Sequence, residues 1–339
     1  MSTVRVAALS GGVGGAKLAL GLQCALAPGE LMVIANTGDD FTHLGLHISP
    51  DIDTLLYTLS GRANPDAGWG RAAETWSFME ALQELGGAGW FRLGDKDLAV
   101  HVLRTDRLRN GASLADVTRE LARRFEVPSK VLPMSNHSVR TKVRTDAGWL
   151  EFQEYFVHQQ CRPAVRELVY AGACSARPSP ELIEALRGTD LDAVVICPSN
   201  PYLSIEPILA VNGMRAALGL ASAPIIAVSP IVGSRALKGP TAKIMSDLGL
   251  EANATSVARH YRGSIDGLIV DETDRHETAA IESLGVRVSV ANTVMTTRES
   301  RIALARHLVR FAEELRARKH DGLNHGNRME VPSVGAAAG

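Results

Sequence analysis

The sequence predicts an α/β fold in which helices cover both faces of a parallel β-sheet. Short apolar runs alternate along the chain with segments of helical apolar spacing, the order of elements that produces a parallel sheet. The run Leu31–Ala35 is apolar at every position, as expected of a strand buried on both faces. A glycine-rich turn follows the first apolar run, at the end of the sheet where such folds bind ligands. Together these observations predict a Rossmann-like, three-layer architecture.

The composition is that of a globular protein with a sizeable core. The chain has 339 residues, a hydrophobic fraction of 45% and a formal net charge of −1. A charge so close to zero gives no electrostatic reason to expect binding to nucleic acid or to an anionic membrane. The sequence shows no secretory signal, no apolar run that could span a bilayer, and no Cys-x-x-Cys pair. We therefore expect a cytoplasmic protein without nucleic-acid or membrane partners.

The first βα unit contains a candidate phosphate-binding loop. The pattern predicts a strand at Val4–Leu9, a turn at Ser10–Lys17 and a helix at Leu18–Ala27. A strand, a glycine loop and a helix in this order present backbone N–H groups to an anion. The loop matches neither the Walker A pattern nor Gly-x-Gly-x-x-Gly, and a glycine-rich turn can also be purely structural. The glycines predicted to bind phosphate are Gly11, Gly12 and Gly14.

Four aspartates in one short stretch form a second candidate site. Asp39 and Asp40 follow the second buried strand, and Asp51 and Asp53 open a helical pattern. Carboxylates at the end of a parallel strand face the ligand crevice, where they repel one another unless a cation joins them. Magnesium takes such oxygen ligands, usually one or two carboxylates with substrate phosphates. The alternative for each aspartate alone is a solvated loop or a helix cap.

Residues 54–124 are predicted to be mostly helical, and they include an aromatic segment. Trp76–Leu85 and Leu114–Phe125 both have helical apolar spacing. Between them, Trp90 and Arg92 stand in a dense mixture of aromatic, cationic and carboxylate residues. A planar ligand bound beside an arginine would explain this mixture, and so would a loop with a capping aspartate and an anchored tryptophan.

Residues 127–171 are predicted to form a small β-rich elaboration. Val139–Thr145 and Trp149–Val157 alternate apolar and polar residues around an Asp-Ala-Gly turn, which indicates a β-hairpin, and Arg166–Tyr170 is a further candidate strand. The predicted organisation is a Rossmann-like core formed by 1–60 and 160–320, an insertion at 61–159 that covers the site, and a flexible tail at 321–339.

The second half of the chain resumes the alternation of strands and helices. Two of its strands end in turns rich in Ser, Asn, Pro and Gly, which can donate hydroxyl, amide and backbone N–H groups to phosphate. Ser199, Asn200 and Ser204 follow the first of these strands. The predicted strands are 193–197, 224–228, 267–270 and 287–290, and the predicted helices are 180–187, 241–248, 278–284 and 298–318.

Six short motifs occur in a fixed order along roughly residues 4–318. They are Ser10–Gly15, Asn36–Asp40, Ser49–Thr54, Leu93–Asp97, Pro198–Pro201 and Val228–Gly233. Each is unspecific alone, but in this combination they resemble one family, the 2-phospho-L-lactate transferases of deazaflavin coenzyme F-420 biosynthesis.

This resemblance implies a magnesium-dependent transferase. A guanylated donor carries lactate or enolpyruvate on a diphosphate, the terminal ribityl hydroxyl of the deazaflavin FO attacks the distal phosphorus, and GMP leaves. The product is coenzyme F-420 without glutamates, or its dehydro form. Charge on the transferring phosphoryl group is the electrostatic problem, and a metal with backbone donors is the expected solution. The resemblance also implies a homodimer.

The resemblance assigns roles position by position. Asp39 and Asp51 resemble the metal-linked carboxylates, while Asp53 and Arg92 resemble the pair that contacts FO, with Trp90 nearby. Asp53 is also a candidate to orient or deprotonate the attacking hydroxyl. Asp40 is the second candidate catalytic carboxylate. The expected contacts to the donor nucleotide or its phosphates are Gly11, Gly12, Gly14, Ser199, Asn200 and Ser204.

Two stretches depart from the family pattern, and two other functions stay open. Pro133–His137 stands where many members have acidic residues after the serine, and Ser234–Lys238 differs from the usual loop. The choice between lactyl and enolpyruvyl donors therefore stays open. A nucleotidyltransferase or sugar-nucleotide enzyme also suits the glycine loop and the aspartates, as does a nucleotide-binding regulatory protein. The aromatic segment favours the transferase, since a regulator needs no deazaflavin pocket.

Overall fold

The structure is a computed structural model and describes residues 5–65, 69–237 and 239–326. The strands are β1 (Val6–Ser10), β2 (Leu31–Ala35), β3 (Phe41–His43), β4 (Leu46–Ile48), β5 (Lys130–Pro133), β6 (Arg140–Thr145), β7 (Gly148–Glu151), β8 (Glu167–Ala171), β9 (Ala193–Ile196), β10 (Ile225–Val228), β11 (Ile231–Val232), β12 (Arg235–Ala236), β13 (Gly267–Asp271) and β14 (Arg287–Ala291). The helices are α1 (Gly12–Ala25), α2 (Pro50–Leu59), α3 (Ser77–Glu84), α4 (Asp95–Arg109), α5 (Leu114–Arg124), α6 (Pro180–Arg187), α7 (Glu206–Ala210), α8 (Met214–Gly219), α9 (Thr241–Asp247), α10 (Ala254–His260), α11 (Thr278–Glu282) and α12 (Arg298–Gly326).

The main sheet has seven strands in the order β14-β13-β10-β9-β1-β2-β5. Every neighbouring pair in it is parallel. Strands β2 and β5 extend the sheet on one side of β1. The later strands β9, β10, β13 and β14 extend it on the other side of β1. The strand order therefore reverses between β1 and β9, which leaves a crevice at the carboxyl ends of these two strands. The predicted Rossmann-like parallel sheet is confirmed.

Helices cover both faces of this sheet and enclose two separate hydrophobic cores. Along β1, Ala7 and Leu9 belong to one core while Val6 and Ala8 belong to the other, because successive side chains of a strand point to opposite faces. Helices α6 to α11 contribute to the first core, and α1, α2, α4, α5 and α12 contribute to the second. The predicted three layers are confirmed.

Helix α1 begins at Gly12, earlier than the predicted start at Leu18. Glycine lowers helix propensity, which is why the sequence predicts a turn here. In the structure, the Gly12 amide donates a 2.6 Å hydrogen bond to the Asp51 carboxylate, which therefore occupies the N-terminus of the helix. A Cβ at Gly15 would overlap Ser199, so glycine lets this first turn lie against the loop that follows β9.

The small antiparallel sheet differs from the predicted hairpin. Strand β6 pairs with both of its neighbours, so the order is β7-β6-β8. The predicted strand Trp149–Val157 is wrong beyond Glu151, because a π-helical turn follows at Glu154–His158. Phe152 and Tyr155 both enter the core, a helical spacing that the apparent alternation of the sequence concealed.

Strand β5 and the hairpin β3–β4 are absent from the sequence predictions. Strand β5 lies within the stretch predicted as an insertion, yet it joins β2 at the edge of the main sheet, with Lys130 opposite Met32. A strand of four residues is too short to show a recognisable period. The hairpin matters for the site because it connects Asp40 to the start of α2, and so lets two distant pairs of aspartates converge.

The C-terminal helix is longer than predicted. Helix α12 extends through Gly326, so residues 321–326 of the predicted flexible tail continue the helix. The rest of that prediction, 327–339, lies outside the described residues. Within the ranges that the structure describes, no helix combines the length and the apolar character needed to cross a membrane.

Candidate active site

The candidate site is a cavity at the carboxyl ends of β1 and β9, where the strand order reverses. Its volume is about 640 Å³. The loops that follow these two strands are joined there. The Ser199 hydroxyl donates to the Gly11 carbonyl at 2.7 Å and accepts from the Gly11 amide at 3.2 Å. The glycine loop and the Ser-Asn turn therefore form adjacent parts of one wall.

The cavity brings together residues that are far apart in the sequence. Of the predicted site residues, all of which the structure describes, Asp40 alone does not line the wall. The others do, and they are Gly11, Gly12, Gly14, Asp39, Asp51, Asp53, Trp90, Arg92, Ser199, Asn200 and Ser204.

The glycines of the first loop have two different structural roles. A Cβ at Gly14 would overlap the Pro198 carbonyl, so this glycine allows two loops to pack closely. Gly12 has a φ of +63°, which favours glycine, and a Cβ there would meet nothing within 4 Å. As the next residues of α1, Val13 and Gly14 have amides without a partner inside the helix, so an anion at this helix end would bind there.

Asn200 places an amide donor in the same wall. Its side-chain oxygen accepts from the backbone amides of Tyr202 at 2.9 Å and Leu203 at 3.0 Å, which fixes the orientation of the side chain. Its Nδ2 is buried and has no hydrogen-bond partner among the described residues. Buried polar groups rarely stay unpaired, so this atom is suited to bind a ligand in the cavity.

Asn36 joins two carboxylates of the wall. Its side-chain amide donates to Asp39 Oδ1 at 2.7 Å and to Asp51 Oδ2 at 2.9 Å. Both aspartates are buried. Burial raises the pKa of Asp51 to about 6, while burial and the neighbouring Asp51 charge raise the pKa of Asp39 well above its usual value. A cation placed between them would hold both groups in the charged form.

The charges of the wall also fit the predicted Mg²⁺. A diphosphate entering a cavity with excess negative charge would be repelled unless a cation neutralised the carboxylates. Among the described residues of the wall, acidic side chains outnumber the permanently cationic ones. The acidic residues are Asp39, Asp51, Asp53 and Asp97, and the cationic ones are Lys17 and Arg92.

Asp40, which is predicted to be catalytic, does not line the cavity but lies behind its wall. Its buried carboxylate accepts a hydrogen bond from Ser49 Oγ at 2.8 Å and lies 3.0 Å from His47 Nε2. Its charge acts indirectly, as one of the contributions that raise the pKa of Asp51.

Asp53 is paired with an arginine that the sequence analysis did not identify. The guanidinium of Arg104 donates to Asp53 Oδ2 at 3.0 Å and also bonds Oδ1. The Arg104 side chain is 0% exposed. Burial raises the pKa of Asp53, although the Arg104 charge opposes this. Both oxygens of Asp53 are therefore engaged by one cation.

The same network continues from Arg104 to Asp97. His101 lies between them, with Nδ1 3.2 Å from Arg104 Nη1 and Nε2 3.3 Å from Asp97 Oδ2. The Tyr57 hydroxyl donates to Asp97 Oδ1 at 2.5 Å. Burial alone would raise the pKa of Asp97, but His101 and Tyr57 lower it below its usual value. Asp97 is therefore charged at neutral pH, and it lines the cavity.

This network also contains a second candidate metal site. Asp53, Asp97 and His101 form the one group of three potential ligands found in the described part of the chain, with atoms within 4.8 Å of one another. Arg104 argues against a metal there, because its guanidinium already neutralises Asp53 and would repel a second cation. Asn36, which joins the other pair of aspartates, is neutral, so that pair is the better metal site.

Aromatic side chains form another part of the wall. Trp90 stacks on His158 with ring centroids 5.5 Å apart and contacts the edge of Phe91 at 5.8 Å. The guanidinium of Arg92 lies over the Trp76 ring, 4.2 Å from its centroid. Trp90, Phe91 and Arg92 all line the cavity. The predicted mixture of aromatic and cationic groups therefore faces the same space as the aspartates.

Several residues of the site were missed by sequence reasoning, although some left a signal. Asp97 stands in one of the six motifs, and His101 and Arg104 follow it on one side of α4 at helical spacing. Lys17 lies one turn after Gly14 on α1 and lines the wall. Helical spacing from a motif is therefore the sequence signal that indicates these residues.

The chain matches a family model and related proteins over most of its length. The model described as 2-phospho-L-lactate transferase CofD matches residues 6–305. A phosphoenolpyruvate transferase of Streptomyces griseus is 40% identical over 320 residues, which are 93% of this chain and 100% of that protein. A 2-phospho-L-lactate transferase of Methanosarcina mazei is 38% identical over 300 residues, which are 88% of this chain and 98% of that protein.

A solved structure shows the same fold. The crystal structure of a member of the UPF0052 family from Bacillus halodurans superposes with a TM-score of 0.56. It covers 86% of this chain and 93% of its own, at 19% identity. At this identity the likeness supports the α/β layout alone.

Proposed function

Because the chain belongs to the 2-phospho-L-lactate transferase family, we propose a specific reaction for its cavity. The enzyme transfers a 2-phospholactyl or phosphoenolpyruvyl group from a guanosine diphosphate-linked donor to the ribityl hydroxyl of FO. GMP leaves, and the product is coenzyme F-420 without glutamates, or its dehydro form. The observation that supports this proposal is a single cavity whose two sides have different chemistry.

We define the donor half as Gly11–Gly14, Lys17, Asp39, Asp51 and Ser199–Ser204. It offers amides at the N-terminus of α1, the unpaired Nδ2 of Asn200 and the cation of Lys17 on α1. These are the groups that bind diphosphates at the switch point of an α/β sheet. In our proposal they bind the diphosphate of the donor and leave its distal phosphorus facing the rest of the cavity.

Asp39 and Asp51 are the proposed magnesium ligands. When bound, the ion would neutralise negative charge on the transferring phosphoryl group. Hydrogen bonds already orient both ligands, since Asn36 donates to both carboxylates and the Gly12 amide donates to one oxygen of Asp51. Holding two carboxylates together in the absence of a cation is unfavourable, which is consistent with their raised pKa values.

We define the acceptor half as Asp53, Trp90–Arg92 and Asp97. Trp90 and Phe91 present apolar aromatic surfaces, which suit a flavin-like ring, and Arg92 places a cation beside them. The two carboxylates can bond the hydroxyls of the ribityl chain. A nucleotide-binding regulatory protein would need none of these groups, so this half of the cavity favours the transferase.

The proposal is tested by direct synthesis. The purified protein is incubated with FO, Mg²⁺ and either the lactyl or the enolpyruvyl guanylated donor, and the products are identified by mass spectrometry. We expect coenzyme F-420 without glutamates from the first donor, its dehydro form from the second, and GMP in equal amount. The faster reaction identifies the donor of this enzyme.

The same reaction with EDTA in place of Mg²⁺ is the control for the metal. If neither donor gives product while both FO and GDP bind, the proposed reaction is wrong and a binding function is favoured. The predicted homodimer and the predicted cytoplasmic location stay predictions.

A further inference from the structure

The attacking hydroxyl must lose its proton when it bonds to phosphorus, and the cavity offers four carboxylates to receive it. Asp39 and Asp51 are the proposed metal ligands, so their oxygens would coordinate the cation. Asp53, the candidate named by the family resemblance, is bonded through both oxygens by a permanent cation, the buried Arg104, whereas Tyr57 and His101 beside Asp97 carry no permanent charge. Asp97 is the remaining carboxylate among the described residues of the wall.

The position of Asp97 suits a proton acceptor. Its side chain is 15% exposed, whereas that of Asp53 is 6% exposed, so Asp97 is the more accessible of the two. It stands in the first turn of α4, where the helix dipole favours a negative charge. One of its oxygens, one oxygen of Asp53 and one nitrogen of His101 lie within 4.8 Å of one another. A hydroxyl chain bound at Asp53 is therefore within reach of Asp97.

We propose that Asp97, rather than Asp53, accepts the proton of the attacking ribityl hydroxyl, an inference that rests on the proposed function. The acceptor oxygen forms a new bond to the distal phosphorus. The bond between that phosphorus and the bridging oxygen breaks, and its electron pair leaves with GMP. The hydroxyl proton passes to the Asp97 carboxylate. A carboxylate has the same role in protein kinases, where it accepts the proton of the substrate hydroxyl.

Two neighbours position Asp97 for this step. The Tyr57 hydroxyl donates to Oδ1, and burial together with nearby Asp53 and Asp97 raises the pKa of Tyr57 well above its usual value, so it stays protonated. His101 lies beside the other oxygen. We assign Asp53 with Arg104 to binding of the ribityl chain, because a fully paired carboxylate can still accept hydrogen bonds from hydroxyls.

The first test is a pair of matched variants on α4. Asp97→Asn keeps the size of the side chain and an oxygen for Tyr57, but removes the base. We expect turnover to fall by about 100-fold or more, the usual value of general base catalysis. Binding of FO, measured by its fluorescence, and of GDP, measured by calorimetry, should change by less than about threefold. Asp106→Asn, at an exposed position of the same helix, should leave all three quantities unchanged.

The second test separates a proton acceptor from a residue that only maintains the structure. Formate can occupy the space left by Asp97→Ala and supply the missing carboxylate. We expect added formate to restore part of the turnover of Asp97→Ala, and to restore none in Asp53→Ala. The melting temperature of each variant shows whether it is folded. If Asp97→Asn turns over within about fivefold of wild type, or if formate rescues only Asp53→Ala, the inference is wrong.

Failure of the proposed function gives a different result. In that case the wild-type protein neither binds FO nor forms product with either donor, and this inference is overturned with it. When the wild type is active, the Asp97 variants alone decide the inference.

Discussion

Two aspartates of the same helix show how the halves of the cavity differ. Asp51 and Asp53 stand two positions apart at the start of α2, and both are buried. The partners of Asp51 are neutral, namely the Asn36 side chain and the Gly12 amide. Asp53 instead bonds the guanidinium of Arg104 through both oxygens.

The difference shows which half of the cavity compensates its buried carboxylate charge with a cationic side chain. In the acceptor half, Arg104 already compensates the buried charge of Asp53. In the donor half, the Asp51 charge raises the pKa of Asp39, and the groups that hydrogen-bond the two carboxylates, the Asn36 side chain and the Gly12 amide, are neutral. Uncompensated buried charge lowers stability and is retained where function requires it. We therefore propose that the donor half binds a cation and that the acceptor half does not.

The largest expected effect follows from removing the Asp53–Arg104 ion pair in the acceptor half. Arg104→Met should lower the free energy of unfolding by about 3–5 kcal/mol, because it leaves the buried Asp53 carboxyl group without its partner. Arg107→Met is the matched control on the same helix, and its exposed ion pairs should contribute less than about 1 kcal/mol. Urea denaturation measures both. Equal destabilisation by the two substitutions would show that the Asp53–Arg104 pair has no special importance.

The next effect concerns catalysis in the donor half. Asp51→Asn removes a proposed metal ligand while keeping the size of the side chain, so we expect turnover to fall by about 100-fold or more. FO binding should be unchanged because Asp53 keeps its own partner. Steady-state rates at limiting and saturating Mg²⁺ check this. Turnover near the wild-type value at limiting Mg²⁺ would remove Asp51 from the metal site.

The same residue should make the stability of the metal-free protein depend on pH. The pKa of Asp51 is about 6 when folded and near its usual 3.8 when unfolded. Its contribution to stability is therefore fully present below about pH 4 and is lost as pH rises through 6, by about 3 kcal/mol in total.

Comparison with Asp51→Asn isolates this contribution from other titrating groups. The difference in unfolding free energy between wild type and variant should shift in favour of the variant as pH rises from 4 to 7. Saturating Mg²⁺ should abolish the shift in the wild type, since the ion holds the carboxylate charged. A difference that does not change with pH would contradict the raised pKa.

The smallest effect distinguishes the two kinds of glycine in the donor half. Gly12→Ala places a methyl group in open cavity at a positive φ, so it should cost about 1–2 kcal/mol of strain and weaken GDP binding. Gly14→Ala instead overlaps the Pro198 carbonyl and should lower stability and harm both ligands alike. Melting temperatures measured beside both affinities separate the two. Normal GDP binding by a folded Gly12→Ala would leave Asn200 as the main phosphate contact.

Sequence reasoning was most successful where the signal was local. The apolar runs at 193–197 and 267–270 correctly predict strands, because a buried parallel strand needs little more than a short apolar run. The motifs correctly locate the wall of the cavity, because loops at the carboxyl ends of adjacent strands must meet.

The errors arose where a tertiary partner decides the structure. Arg104 lies far from Asp53 in sequence, and nothing local distinguishes a buried arginine from a solvated one. Asp40 and Asp39 are adjacent and chemically identical, yet only the backbone path into β3 decides which one enters the cavity. The turn at Glu154–His158 lies within the predicted strand Trp149–Val157, but its apolar residues Tyr155, Phe156 and Val157 are consecutive rather than alternating.

We propose that the donor half needs a cation for ligand binding, whereas the acceptor half binds its ligand without one. The most direct measurement is the affinity of the wild-type protein for GDP and for FO, each with Mg²⁺ and with EDTA. We predict that Mg²⁺ tightens GDP binding by at least about tenfold, a difference of about 1.4 kcal/mol, and that Asp39→Asn loses this gain. FO binding should change by less than about twofold. If instead FO binding requires Mg²⁺ and GDP binding does not, the two halves have been assigned in reverse and the account is wrong.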